Sequence, residues 1–377
     1  MNPIFRSKRG FSPACICVAV FCLLLTVGCV ISPRRTLGGG GGGTPTPTPT
    51  ASPTPTPNPA ATGKLYVIDS SSSTLLRFDK AFTANNNATP AATITGANTS
   101  LNGPNYIALD PASDRLYVAD QSDVSIVIFD KISTQTGTVN LTPTRVIFGG
   151  NTTLSLPIDV FFDRVRNQLY VLDDPRILVY NVASLSAGVN NVAPARTLTT
   201  SSAAGMAAMF VDVTSDRLFL ADLDGAIAIY DSASTLSTGA ITPTRSITGS
   251  NTQLANPAGI QFDGVGRLVV SNTGTLSLPP SITIYPASAI TAGGNPAPVA
   301  QISGSNTGFS SPMQIAVDPL GTGTLYLADA GAAKIAVYAN LNNVTGNINA
   351  APNRSITGAS TGLTAGGPAG VAIDNTR

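Results

Sequence analysis

From Lys64 onward the chain alternates short runs of Val, Ile, Leu, Tyr and Phe with clusters of Asp, Asn, Ser, Thr, Gly and Pro. Short β-branched and aromatic runs bounded by turn residues predict strands rather than helices. The alternation itself repeats. Leu65–Asp69 (LYVID) returns as Leu116–Asp120, Leu169–Asp173, Leu218–Asp222, Leu268–Asn272 and Leu325–Asp329. The last residues of successive copies are 51, 53, 49, 50 and 57 positions apart, a mean of 52. A fixed period of this kind marks a repeat architecture, in which one unit cannot bury its apolar face alone and does so against the next.

Each unit holds four strand signals. In one, Tyr106–Asp110 is followed by the turn Pro111-Ala112-Ser113-Asp114, then Leu116–Asp120, then Ser125–Asp130, and after a long polar loop Arg145–Phe148. Four antiparallel strands in a unit of this length predict a β-propeller blade. The chain ends decide how the ring closes. Leu65–Asp69 corresponds to the second strand of a blade, and nothing before it reads as a first strand. Gly370–Asp374 corresponds to a first strand, with no second after it. The two ends therefore complete one blade between them. The expectation is an all-β, six-bladed propeller over residues 64–377, five blades whole and one shared, with the terminal strands paired so that no sheet edge is left open there.

Pro312-Met313-Gln314-Ile315-Ala316-Val317-Asp318 leads to Leu325–Asp329 and then Lys334–Tyr338, and Pro257–Asp263 and Pro368–Asp374 follow the same pattern. This resembles the NHL/YVTN class of propeller repeats over all of 64–377. The resemblance implies the fold but not an activity, because such propellers host both binding modules and enzymes. The units here are longer than the family pattern, and the extra residues fall mainly in the loop before the fourth strand, as in Lys131–Thr144.

The segment before the repeats has a different character. Residues 1–28 combine a basic start (Arg6, Lys8, Arg9) with the uncharged run 14–28, the length of a signal-peptide core and short for a membrane span. The run ends Leu25-Thr26-Val27-Gly28-Cys29, which resembles the bacterial lipobox, with Thr26 in place of the more usual leucine. That resemblance implies cleavage before Cys29 and its lipidation. The cysteines agree: Cys15, Cys17 and Cys22 leave with the signal, and a lone Cys29 has no disulfide partner. Residues 29–63 read as a lipidated cysteine and a disordered tether. Gly38 to Gly43 is flexible, and the Thr-Pro repeat from Thr44 to Pro59 favours extended polyproline geometry spanning roughly 50 Å. The expected location is the cell envelope, at the outer membrane or cell surface, as an exported bacterial lipoprotein and a monomer.

Composition narrows the chemistry. All 20 acidic residues are Asp, and there is no Glu, His or Trp. A Ser-His-Asp or Cys-His unit cannot be built, nor can a His-ligated metal or haem site. Net charge is +1; without Arg6, Lys8 and Arg9 it is 18 basic against 20 acidic residues, or −2. No electrostatic case exists for nucleic acid, and membrane attachment falls to the lipid anchor rather than to charge.

Asp is the remaining candidate. Asp110, Asp163, Asp212, Asp263, Asp318 and Asp374 end first strands, and Asp69, Asp120, Asp173, Asp222 and Asp329 end second strands. Residues this regular are most simply turn-formers whose carboxylates cap backbone N–H groups. A ligand site should break the repeat. The breaks among the loops after second strands mark one face as the candidate ligand-binding surface: Asp120 with Asp123, Asp173 with Asp174, Asp222 with Asp224, Asn272 where the others have Asp, and Asp329. Arg145, Arg196, Arg245 and Arg354, before fourth strands, read as solvated or paired rim charges. Tyr66, Tyr117, Tyr170 and Tyr326 read as packing between blades. No catalytic residue and no cofactor is assigned. The function expected is a lipid-anchored binding or scaffold module for a protein or small ligand. The alternative is a Ca²⁺-dependent, lactonase-like hydrolase or lyase using Asp on one face, a comparison weakened by the absence of Glu.

Overall fold

The structure is a computed structural model that describes residues 63–376 apart from 202–204, 319 and 321. The signal segment, Cys29 and the tether up to residue 62 lie outside the described residues. Six sheets follow one another around a closed ring. The shared blade, blade 1, consists of Pro368–Asp374, Lys64–Asp69, Thr74–Asp79 and Ala92–Ile94. Blade 2 is Pro104–Asp110, Arg115–Asp120, Ser125–Asp130 and Arg145–Ile147, and blade 3 is Pro157–Asp163, Gln168–Asp173, Arg176–Asn181 and Arg196–Thr199. Blade 4 is Met206–Asp212, Arg217–Asp222, Ala226–Asp231 and Arg245–Thr248. Blade 5 is Pro257–Phe262, Leu268–Asn272, Ser281–Tyr285 and Ala300–Ser303, and blade 6 is Pro312–Asp318, Thr324–Asp329, Lys334–Ala339 and Arg354–Ile356. The closure expected from the sequence is present: Lys64 pairs antiparallel with Asp374, and the register runs on to Ile68 opposite Gly370.

The second strands read as continuous apolar runs because both of their faces are buried. Each blade packs one face on the blade before it and the other on the blade after. Tyr66 of blade 1 therefore shares a core cluster with Leu116 and Val118 of blade 2, and Tyr117 of blade 2 stacks on Phe162 of blade 3 with ring centroids 5.0 Å apart. The four second-strand tyrosines are fully buried between blades.

The long loop before the fourth strand is not idle length. In every blade it reaches back and adds a parallel edge strand or bridge to the fourth strand of the preceding blade. Gly137–Val139 of blade 2 pairs with Ala92–Ile94 of blade 1, and Gly188–Asn190 of blade 3 pairs with Arg145–Ile147 of blade 2. Gly239–Ala240 pairs with Leu198 and Thr199, Gly294 bridges to Ile247, and Gly346–Ile348 pairs with Ala300 to Ile302. Asn86 bridges to Ile356 and so completes the circuit from blade 1 back to blade 6.

An asparagine locks five of these six straps. The Oδ1 atoms of Asn140, Asn191, Asn295 and Asn349 each accept the backbone N–H of Asn98, Asn151, Asn251 and Asn306 respectively at 2.8 Å. Asn87 accepts that of Ser360 at 2.6 Å. At the junction of blades 3 and 4, Thr242 stands at the asparagine's position. The turn that receives the asparagine starts with a glycine in a conformation closed to other residues: Gly149 has φ 118° and ψ 170°, and a Cβ there would lie 2.7 Å from the Asn191 carboxamide.

Arginines fasten every junction as well, and they do more than the rim role expected of them. Arg145 donates to Leu185 O, Arg196 to Ala233 O and Leu236 O, Arg245 to Ile290 O, and Arg354 to Ala81 O and Ala84 O, each in the next blade. Arg77, in a third strand, and Arg267, just before a second strand, make the same link to Ser133 O and to Leu341 O and Val344 O respectively. The guanidinium has five donors in a rigid fork, enough to hold its own blade's Asp and the neighbour's carbonyls together. Arg77, at 2% exposure, also pairs with Asp79.

Two outcomes test this architecture. Deleting residues 368–377 should lower the thermal midpoint of the whole ring in one transition; a partial loss of signal with the remaining blades melting unchanged would contradict it. Gly149→Ala should cost about 1–3 kcal/mol in urea unfolding through its φ and its clash. Gly150→Ala next to it, where a Cβ meets nothing within 4 Å, should be nearly neutral.

Candidate functional site

The second-strand carboxylates lie on the face where the loops after second strands meet the loops entering first strands, and Asp69, Asp120, Asp173 and Asp329 bind those entering loops. Asp120 accepts the N–H of Asn102 at 2.6 Å and of Asp123 at 3.1 Å. Burial pushes its carboxyl above the ordinary value, opposed by those donors. Asp173 accepts the N–H groups of Ser155 and Leu156, both at 2.7 Å, and pairs with Arg176. Asp329 accepts Ser311 N–H at 2.7 Å, with Lys334 Nζ 3.7 Å away. Asn272 can replace Asp because its Oδ1 does the same for Ala255 N–H at 3.0 Å, while its Nδ2 donates to Thr283 Oγ1 at 3.1 Å.

The other members of the predicted face divide. Asp123 accepts from the Asn102 side chain at 2.8 Å, so Asp120 and Asp123 are joined through one loop residue. Asp174 of blade 3 accepts Met206 N–H of blade 4 at 3.0 Å; burial raises its pKa, and the nearby Asp222 and Asp173 raise it further. Asp222 accepts the N–H of the exposed Asp224 at 2.8 Å. The eight residues are thus strung around the ring: Asp120 lies with Asp123, Asp174 lies beside Asp173 and near Asp222, which holds Asp224, and Asn272 and Asp329 stand apart from these groups. Among the described residues no group of three or more acidic side chains could hold a metal ion.

The structure does bring side chains together on the ring axis, at positions the sequence reading passed over. The six first strands surround the axis, and each carries a register shift near its start where it pairs with its second strand. A bulge there re-aims the residues that follow it. The third positions of these strands are Gly370, Tyr106, Asp159, Ala208, Gly259 and Gln314. Tyr106 crosses from blade 2 to blade 5, where its hydroxyl donates to Ala258 O at 2.7 Å. Gln314 of blade 6 accepts Val371 N–H of blade 1 at 2.8 Å and donates to Ile107 O of blade 2 at 3.0 Å. Asp159 of blade 3 accepts Met209 N–H of blade 4 and its neighbour Val160 N–H, both at 2.8 Å, with Gln314 Nε2 at 3.5 Å. Glycine at 370 is required by this crowding, because a Cβ there would meet Asn105 O at 2.7 Å and Gln314 Oε1 at 3.3 Å.

This brace is the floor of a pocket of about 250 Å³. Its walls come from the third to sixth residues of the first strands, and most are apolar: Ile107, Val160, Phe161, Phe210 and Ile315 among them. Tyr106, Asp159 and Ala208 in the floor are at most 3% exposed, whereas Ala108, Phe161, Phe210 and Gln261, two positions further along, are half-buried and meet solvent. The pocket lining therefore runs from the brace toward the loops that link first to second strands. Among the described residues Asp159 is the only ionisable side chain in its lining. Burial pushes that carboxyl up to about 7, opposed only by the N–H groups of Met209 and Val160. A group so perturbed in a concave site is a mark of function. The signal was available in the aligned first strands, where Asp159, Tyr106 and Gln314 interrupt positions that are otherwise Gly or Ala.

Fold and pocket together define a six-bladed β-propeller with an axial pocket. No family model matches the chain, and no curated protein matches it. Among solved structures, a chain titled "Crystal structure of Nidogen/Laminin Complex" is similar, with a TM-score of 0.48 and 14% identity over 83% of this chain and 98% of that one. The architecture stated above rests on the six sheets themselves.

The pKa of Asp159 makes a signed prediction. Below about pH 4 both folded and unfolded chains hold the proton. As pH rises, the unfolded chain loses it first, and above about 7 the folded chain must ionise a buried carboxylate. Its stabilising contribution is therefore lost as pH rises through about 7. Asp159→Asn should flatten the decline in urea-unfolding stability between about pH 5 and about pH 8. Equal slopes in the two proteins would contradict the shift.

Proposed function

We propose that this protein is a lipid-anchored binding module of the cell envelope that holds a small ligand in its axial pocket. The observation that carries the reading is where the repeat breaks. A ring of near-equivalent blades gives one ligand no reason to choose among equivalent loop positions, and the second-strand carboxylates are occupied in shaping loops. On the axis, Asp159, Gln261 and Gln314 put polar side chains where the other first strands carry small or apolar ones, in a pocket whose lining residues are mostly apolar. An apolar cavity with a few convergent polar groups is the common form of a small-molecule site. The signal-like segment, Cys29 and the Gly and Thr-Pro tether supply the anchor and hold the ring clear of the lipid surface.

Cys29→Ser in the full chain should move the protein from the membrane fraction to the soluble fraction of the envelope; unchanged membrane association would refute the anchor. Native mass spectrometry of protein purified from its own envelope should show a bound small molecule that Ala108→Phe, which fills the pocket, removes. The same ligand mass in both proteins would place binding elsewhere. A rise in melting temperature with Ca²⁺ would instead favour the lactonase-like reading.

A further inference from the structure

We propose that the axial pocket selects a small aliphatic ammonium compound, whose charged head sits against Asp159 and whose apolar body fills the channel above it. The inference rests on the reading of the axial pocket as the ligand site and names the class of ligand it takes.

The charge arrangement carries it. Among the described residues Asp159 is the one ionisable residue lining the pocket, and no lysine or arginine among them lines it. A carboxylate has about four acceptor sites. Asp159 receives two backbone N–H groups at 2.8 Å and an amide at 3.5 Å, the outer limit of a hydrogen bond. Acceptor capacity therefore remains. An ionised carboxylate in an apolar site is costly unless a cation is paired with it. An ammonium group offers three donors and the opposite charge, and it answers both deficits at once. A carboxylate ligand would add a second negative charge to a site with no cation. A neutral alcohol would bring one donor and no charge.

The shape sets the rest. The side chains above Asp159 that meet solvent are Ala108, Phe161, Phe210 and Gln261, whereas Ile107, Val160, Ile260 and Ile315 pack between blades, so the hydrocarbon of the ligand lies against Ala108, Phe161 and Phe210. The cavity of about 250 Å³ lies below the ~300–1,000 Å³ of pockets that take drug-sized molecules, so the ligand is small. The other ionisable groups on the flanking first strands are accounted for. The Tyr106 hydroxyl bonds Ala258 O. Asp110, Asp163 and Asp212 sit at the strand ends, where Asp110 pairs with Arg164, Asp163 with Arg166, and Asp212 accepts from Ser215 and Thr214. None of these lines the pocket.

Isothermal titration calorimetry on the full chain with n-hexylammonium, n-hexanol and n-hexanoate tests the assignment. Near pH 8 the ammonium should bind at least about tenfold more tightly than the alcohol, a difference of about 1.4 kcal/mol, and the hexanoate should not bind. Hexylammonium stays charged at both about pH 8 and about pH 5.5, so its affinity should fall at the lower pH as Asp159 takes up a proton. Asp159→Asn should remove the ammonium's advantage and its pH dependence while leaving hexanol binding unchanged. Ala108→Phe should abolish binding of all three. Equal affinity for ammonium and alcohol in the wild-type protein, or an advantage that survives in Asp159→Asn, overturns the ligand class while leaving the pocket as a binding site. Binding of none of the probes overturns both.

Discussion

A blade of this ring has two apolar faces and is stable only between two neighbours. That one constraint organises the rest. It makes second strands such as Leu116–Asp120 apolar along their whole length and puts a buried tyrosine at most junctions. It also requires that the first and last blades be the same blade, because an unpartnered end would leave an apolar face and an open sheet edge in water. Lys64–Asp69 against Pro368–Asp374 meets that requirement with strand pairing rather than surface contact.

The chain reinforces each junction at two further radii. Near the rim a strap from one blade pairs with the fourth strand of the blade before it, locked at five junctions by an asparagine. Between rim and core an arginine reaches carbonyls of the next blade at all six. This is how a protein with so few charges uses them: its arginines and aspartates hold loops and neighbours, and the solvated surface is left mainly to Ser, Thr and Asn. On the axis, Tyr106 and Gln314 tie blades that are not neighbours at all. The same contacts that stabilise the centre also bury Asp159 at the base of the axial pocket.

Much of this was legible in the chain. The LYVID-type runs carry the period, and the mismatched ends reveal the closure, because strand signals built on buried apolar residues are strong. The straps were not legible. Gly137-Thr138-Val139 is short, begins with glycine and is solvent-facing, so it carries neither alternation nor hydrophobicity, and only its pairing makes it a strand. The inter-blade arginines looked like rim charges because their acceptors are backbone carbonyls, which no side-chain pattern announces. Attention to carboxylates at strand ends drew the candidate site to the loops. Asp159 sits inside a strand, and only the bulge that turns it to the axis gives it significance.

Native-state hydrogen exchange is the most direct test of the ring as a single closed unit. If each blade depends on both neighbours, amides of the shared blade (Leu65 to Ile68 and Val371 to Ile373) should exchange as slowly as those of the first strands opposite, such as Val160 and Ile260, all through global unfolding. Faster exchange of the shared blade through a separate opening, with the other five still protected, would show that the ring does not depend on its closure.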